Sequence, residues 1–133
     1  MSAREQRMRI SSEADTIVAV FAVREMAASI GMSTLAGSSL ATAISELATN
    51  VIKYARRGLV TLRAVRRIDQ PGLEVVVQDH GPGIADIALA MTDHVSTGGT
   101  LGLGLPGTKR LVDEFELTSE VGKGTRVRVV KWG

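Results

Sequence analysis

The sequence contains no cysteine, which excludes disulfides, thiolate catalysis and cysteine-held zinc. Aromatic residues make up only 3% of it, so Leu, Val, Ile and Ala must build the core. No apolar run approaches the roughly 20 residues that span a bilayer. The segment Met1-Ser2-Ala3-Arg4-Glu5-Gln6-Arg7 lacks the apolar middle of a signal peptide. A cytoplasmic protein with no membrane partner is the simplest expectation. An excess of one charge is also missing: 16 Lys and Arg stand against 14 Asp and Glu. The basic residues are scattered (Arg56-Arg57, Arg66-Arg67, Lys109-Arg110, Arg126, Arg128) with no basic tail. A nucleic-acid binder usually concentrates them in one stripe, so a solvated surface is favoured and no nucleic-acid partner is expected. What remains is ordinary for a globular protein: 44% apolar, 23% charged, and 133 residues, enough for one compact domain over 1–133.

Met8-Arg9-Ile10 reads as a first strand, and Ser11 or Ser12 can cap a helix whose first turn holds Glu13. Ile17, Phe21, Met26 and Ile30 supply an apolar stripe, and Gly31 a stop. A second helix starts at Ser33-Thr34. Leu40, Ile44, Leu47, Val51 and Ala55 form its buried face, and it ends before Gly58. Strand-like segments from Leu59 to Ile68 and from Leu73 to Asp79 flank Asp69-Gln70-Pro71-Gly72, which has turn chemistry. The two-residue period puts Leu73, Val75, Val77 and Asp79 on one face, so Asp79 continues the buried side. An acid there is costly unless it has a polar partner. From His80 to Thr100 the chain reads as a long loop rich in Gly, Thr and Asp, a length usually reserved for function. Gly102 to Phe115 turns helical, with Pro106 in the first turn and Leu105, Leu111, Val112 and Phe115 available to the core. Two final strands, Glu116 to Val121 and Thr125 to Trp132, flank Gly122-Lys123-Gly124, and Thr125, Val127 and Val129 share the inner side. The order β-α-α-β-β-α-β-β predicts an α+β two-layer sandwich, a mixed but mainly antiparallel sheet covered on one face by helices.

Several short motifs carry chemistry. Glu46 and Asn50 stand at i and i+4, so their side chains meet on one helix face, with Lys53 and Tyr54 a turn later. Asn50 offers a neutral oxygen to magnesium, which often takes one or two protein ligands and completes its shell with phosphates and water. Glu46 is placed to accept a proton from a hydroxyl or water attacking a γ-phosphate, assistance typically worth about 10²–10⁴ in rate. Asp79 opens Asp79-His80-Gly81-Pro82-Gly83, followed by Ile84. Its carboxylate can accept a hydrogen bond from the amine of adenine and discriminates against guanine, which has a carbonyl there. Gly81 and Gly83 let the backbone pass close to a flat base. Gly98-Gly99-Thr100-Leu101-Gly102-Leu103-Gly104 offers backbone N–H groups to phosphate oxygens just before a helix start. The run Gly102-Leu103-Gly104-Leu105-Pro106-Gly107 matches GxGxxG, but a dinucleotide fold needs a strand directly before it. Gly107-Thr108-Lys109 has the wrong order for a P-loop. His80 and His94 lack partners at metal-like spacing and read as ordinary loop residues.

In this order the motifs resemble the N box and the three glycine boxes of the GHKL ATPase superfamily (the Bergerat nucleotide fold), across nearly the whole chain. Within it, Ala43-Ile44-Ser45-Glu46-Leu47-Ala48 and Gly104-Leu105-Pro106-Gly107-Thr108-Lys109-Arg110-Leu111 resemble the RsbT-type stressosome switch kinases, relatives of anti-sigma-factor kinases. The resemblance implies ATP- and Mg2+-dependent phosphorylation of Ser or Thr on a STAS-domain scaffold protein. The freed kinase would then switch on a downstream output protein, typically a PP2C-type phosphatase. It assigns Glu46 as base, Asn50 as magnesium ligand, Asp79 as adenine anchor and Thr125 as its supporting contact. One departure stands out: many relatives carry a basic residue in the ATP lid, yet no Lys or Arg lies between Asp79 and Lys109. A histidine-kinase catalytic domain would need a phosphoacceptor helix module, for which 133 residues leave no room. A non-catalytic, ATP-gated interaction module would have no use for Glu46.

Overall fold

The computed structural model describes residues 5–85, 91 and 104–133. Strand β1 (Glu5–Ile10) leads into helices α1 (Glu13–Ser29) and α2 (Thr34–Ala55). The hairpin β2 (Gly58–Arg67) and β3 (Gln70–Asp79) follows, then the short helix α3 (Gly104–Arg110), then β4 (Glu114–Glu120) and β5 (Gly124–Trp132). The strands form one sheet in the order β1-β2-β3-β5-β4, and every described pairing is antiparallel, so the sheet shows none of the mixed character expected.

Helix boundaries follow local chemistry. Ser12 caps α1 by accepting the Asp15 N–H at 3.2 Å, and Asp15 in turn accepts from the Ser11 N–H at 2.9 Å. That backbone bond, helped by the Ser11 and Ser12 hydroxyls, holds the Asp15 carboxyl below its ordinary pKa. Ser33 caps α2 by accepting from Ala36 N at 3.1 Å. The helix stops at Arg56, whose φ of 72° is the one positive value at a described non-glycine residue.

The inner face of the sheet buries Ile10, Val60, Leu62, Leu73, Val75, Val77, Val127 and Val129 against α1 and α2. Each such side chain is worth roughly 1.5–3 kcal/mol relative to exposure. The inward placement of Asp79 and Thr125 with these valines is as expected. Helices α1 and α2 approach closely where Gly37 faces Ala27: a Cβ on Gly37 would lie 3.3 Å from Ala27 Cβ. The outer face is polar. There Glu74, only 9% exposed, bridges Arg63 at 3.0 Å and Arg128 at 2.7 Å, and Arg128 also reaches Glu114 and Glu116. The Glu74 bond raises the Arg128 pKa above its ordinary value.

Three local expectations are corrected. First, α1 buries Thr16, Ala19, Val23, Met26 and Ala27, whereas Ile17 and Phe21 are 66% and 61% exposed. Apolar residues surround this helix, so periodicity could not choose the face; the small Ala19 and Ala27 sit on the packed side. Second, the β2–β3 turn is Ile68-Asp69, because Arg67 pairs with Gln70. Pro71 and Gly72 belong to β3, and a side chain on Gly72 would overlap the Trp132 ring, which lies across it. Third, α3 ends at Arg110, and Phe115 is a strand residue. Asp113 N already bonds Val130 O at 2.9 Å, so sheet pairing captures the chain before the helix can continue.

Candidate active site

One row across the sheet holds Ile10, Gly58, Asp79, Thr125 and Ser119 as successive cross-strand partners. Asp79 is the last residue of β3 and half-buried. Its Oδ1 accepts from Gly81 N at 2.9 Å and from Thr125 N at 3.3 Å. These bonds give the inward acid the polar partners it required. Among the described residues its other oxygen, Oδ2, accepts nothing, so the carboxylate is held by one oxygen and presents the other.

The glycines of this corner are dictated by the chain itself. A Cβ on Gly81 would come within 2.6 Å of Ala55 Cβ, because the last turn of α2 rests on this loop. Gly83, at φ 77°, passes against the Glu120 carbonyl, which a side chain would overlap. Gly124, at φ 113°, passes against the Asp79 backbone. The loop is pinned to the β4–β5 hairpin by Gly122 N to Pro82 O at 2.9 Å and by Ile84 N to Ser119 Oγ at 2.7 Å. Close approach of Ala55 to Gly81 and of the Glu120 backbone to Gly83 thus accounts for both glycines whether or not a base also lies there.

Helix α2 leans over the same end of the sheet: Val51 Cγ1 would meet a Cβ on Gly58 at 2.7 Å. Its buried stripe runs through Leu40, Ile44, Leu47, Ala48 and Val51. Glu46 and Asn50 flank that stripe, both half-buried, with no hydrogen-bond or ion-pair partner among the described residues. At 1.5 Å rise per residue, Asn50 lies about 7 Å and Glu46 about 13 Å along the axis from Ala55 and the Asp79 corner. Lys53 is exposed in the last turn, its Nζ 5.1 Å from the Tyr54 ring centroid. Among the described residues no three His, Asp or Glu side chains cluster to hold a metal ion. A lone amide oxygen at Asn50 fits an ion whose other ligands are phosphate and water, the usual manner of magnesium.

Gly98, Gly99, Thr100, Leu101, Gly102 and Leu103, expected to cradle phosphates, lie outside the described residues. Gly104 opens α3 at φ 70°. The fully buried Thr108 returns its hydroxyl to Gly104 O at 2.9 Å, and α3 packs on α2. Motif reading missed Ser119, which bonds Ile84, Gly124 and Thr125. Its role depends on a neighbour across a hairpin, and the only available signal was its place opposite Thr125 in a two-residue period.

An antiparallel sheet with helices on one face, and a tethered carboxylate at the glycine turn ending a central strand, define an ATPase-type nucleotide domain. A family described as histidine kinase-like ATPase domain matches residues 10–131, and the chain belongs to this family, of GHKL type. It is 43% identical to the serine/threonine-protein kinase RsbT of Bacillus subtilis (strain 168) over 125 residues, 94% of each protein. It is also 35% identical to an anti-sigma F factor of Caldanaerobacter subterraneus over 101 residues, 71% of this chain and 69% of that one. The near full-length kinase relationship makes the chain an enzyme, a kinase drawing on ATP. Among solved structures, the mycobacterial sensor histidine kinase MprB superposes with a TM-score of 0.56 at 21% identity, covering 98% of this chain and 97% of that one. A histidine kinase domain from Erythrobacter litoralis gives 0.54 at 22%, covering 90% and 59%. These two likenesses carry the fold alone. No helix among the described residues is long and apolar enough to cross a membrane.

Proposed function

We propose that the chain transfers the γ-phosphoryl group of ATP to a serine or threonine of a STAS-domain scaffold protein within a stress-signalling partner-switching module. Released from the phosphorylated scaffold, it then engages a downstream output protein such as a PP2C-type phosphatase. The observation that carries the nucleotide half is Asp79: one oxygen fixed by the Gly81 and Thr125 amides, the other without a partner among the described residues. A bare carboxylate oxygen at that point accepts from the exocyclic amine of adenine. Gly81, Gly83 and Ile84 bring their backbone beside the base, and Thr125 supports the anchor. Asn50 would hold magnesium, which when bound would supply positive charge to the triphosphate. Glu46 sits farther from the adenine corner than Asn50, the order required if the triphosphate runs along α2 away from the base. The acceptor hydroxyl passes its proton to the Glu46 carboxylate, its oxygen bonds to the γ-phosphorus, and the bond to the ADP oxygen breaks. The identity with RsbT supports serine/threonine transfer, and both it and the anti-sigma F relatives support partner switching.

No Lys or Arg lies between Asp79 and Lys109. The γ-phosphate charge would therefore fall to magnesium, to backbone N–H groups from Gly98 to Gly104, and to Lys53, Lys109 or Arg110. Slow turnover of ATP in isolation and faster transfer with a docked scaffold are expected. The alternative, an ATP-gated binder without catalysis, draws on the same anti-sigma F relatives. Label transfer from γ-labelled ATP to candidate STAS domains decides between them. Transfer that survives in the native protein and is lost in Glu46→Gln, with ATP binding retained, supports the kinase. Partner binding gated by ATP with no label on any partner favours the binder.

A further inference from the structure

Ser119 lies outside every motif, yet its Oγ is a three-way junction. It stands 2.7 Å from Ile84 N, 3.1 Å from Gly124 O and 2.8 Å from Thr125 Oγ1. A serine hydroxyl has one proton and two lone pairs. The Gly124 carbonyl can only accept, so the Ser119 proton goes there. The Ile84 N–H can only donate, which fills one lone pair. The remaining lone pair faces Thr125, whose hydroxyl must therefore be the donor of that bond. The single Thr125 hydroxyl proton is thus committed, and only its lone pairs are left for any group beside it. Its neighbour Asp79, tied to Thr125 N through Oδ1, likewise presents an acceptor, Oδ2. This end of the sheet is a wall of acceptors, and its polarity is set from behind by Ser119.

We propose that Ser119 is a positioning residue that fixes the polarity of the Thr125 hydroxyl, and so selects a purine with an amine at position 6 over one with a carbonyl. The inference rests on the adenine-site reading of Asp79. It adds a second determinant that acts without touching the nucleotide. With Ser119 in place, a 6-carbonyl oxygen meets lone pairs from both Asp79 and Thr125. Without it, the Thr125 proton is free to swing round and donate to that carbonyl.

The test is calorimetric titration of the protein with magnesium-ATP and magnesium-ITP, whose base carries a carbonyl in place of the amine. The native protein should prefer ATP. Ser119→Ala should shrink that preference by roughly 10-fold, chiefly through tighter ITP binding, the scale of one hydrogen bond gained. Ser119→Thr, which restores a hydroxyl, should recover the native ratio. Thr125→Val leaves Ser119 intact and removes the lone pairs, so it should weaken ATP and spare ITP; this arm stands even if Ser119→Ala folds poorly. A merely structural Ser119 would change both affinities by the same factor. An unchanged or increased ATP preference in Ser119→Ala therefore overturns the proposal while the nucleotide site stands. Failure of the native protein to bind ATP at all overturns the site reading, and this inference with it.

Discussion

Replacing Asp79 by asparagine separates what the carboxylate does for the chain from what it does for a ligand. Oδ1 accepts from Gly81 N and Thr125 N, and an amide oxygen of the same shape can keep both bonds. Oδ2 has no partner among the described residues, and the substitution turns that atom into an NH₂ donor. Against an adenine amine the change replaces an acceptor by a donor. The loss is at least one hydrogen bond to a charged group, about 1.5–3 kcal/mol. In dissociation constant this is roughly 10- to 150-fold. The fold should hardly notice, with a stability change within about 1 kcal/mol, because the tether survives. Asp79→Ala provides the contrast: it deletes the tether as well, removing the side-chain acceptor of Gly81 N and Thr125 N, and should cost roughly 1–3 kcal/mol of stability in addition to affinity. Titration calorimetry with magnesium-ATP, paired with thermal denaturation of the unliganded proteins, reads both quantities. An asparagine variant that binds ATP as tightly as the native protein would refute the anchor assignment, whatever its stability.

The other expectations are simpler. Glu46→Gln should leave ATP affinity near native and lower phosphoryl transfer to the scaffold by about 10²–10⁴, measured under single-turnover conditions. Gly83→Ala, at φ 77° and against the Glu120 carbonyl, should cost at least about 3 kcal/mol. Gly122→Ala, at φ 80° with open space around it, should cost only about 1–2 kcal/mol; equal melting temperatures for the pair would contradict the close approach. Val23→Ala should destabilise by about 2 kcal/mol, and Phe21→Ser by no more than about 0.5 kcal/mol; the reverse order would restore the stripe first read from the sequence.

Much of the architecture was legible because it depends on short-range rules. Two serine caps, the alternation through Leu73, Val75 and Val77, and the glycines after α1 and β4 each fix an element from a few neighbouring residues. The resulting order matches the structure element by element. Failures came where a residue's position is decided by something distant in sequence. Gly72 looks like a turn residue, but it is a strand residue emptied for the Trp132 ring. Phe115 extends an apolar helical pattern, but β5 captures the chain first. The orientation of α1 was undecidable because apolar side chains lie on all its faces, and it is packing against α2 and the sheet, as where Ala27 meets Gly37, that selects one. Within the site, the inward acid at Asp79 could be read from alternation alone. The Ser119 junction could not, since it needs the β4–β5 pairing to exist.

The described polar groups of the site fall into two kinds, and the division bears on mechanism. Around Asp79 nearly every described group is committed: Asp79 Oδ1 twice, the Thr125 hydroxyl once, and the Ser119 hydroxyl three times. Such a network is rigid and pre-set in polarity, which suits recognition of a fixed shape at little cost in ordering. Along α2 the situation is reversed, because Glu46 and Asn50 are half-buried and unpartnered among the described residues. Partly buried polar groups without protein partners are destabilising to hold, so they make sense where a ligand completes them. If the triphosphate runs along α2 as proposed, Glu46 gains nothing from nucleotide alone, because a carboxylate beside a triphosphate is repelled unless a metal and a hydroxyl donor intervene. An attacking hydroxyl or water gives it a proton to accept, and a docked acceptor hydroxyl does so in place of water. On the proposed reading, ATP use is therefore expected to rise with occupancy by the acceptor protein. A scaffold-stimulated rate well above the rate of ATP hydrolysis by the isolated chain is its kinetic signature.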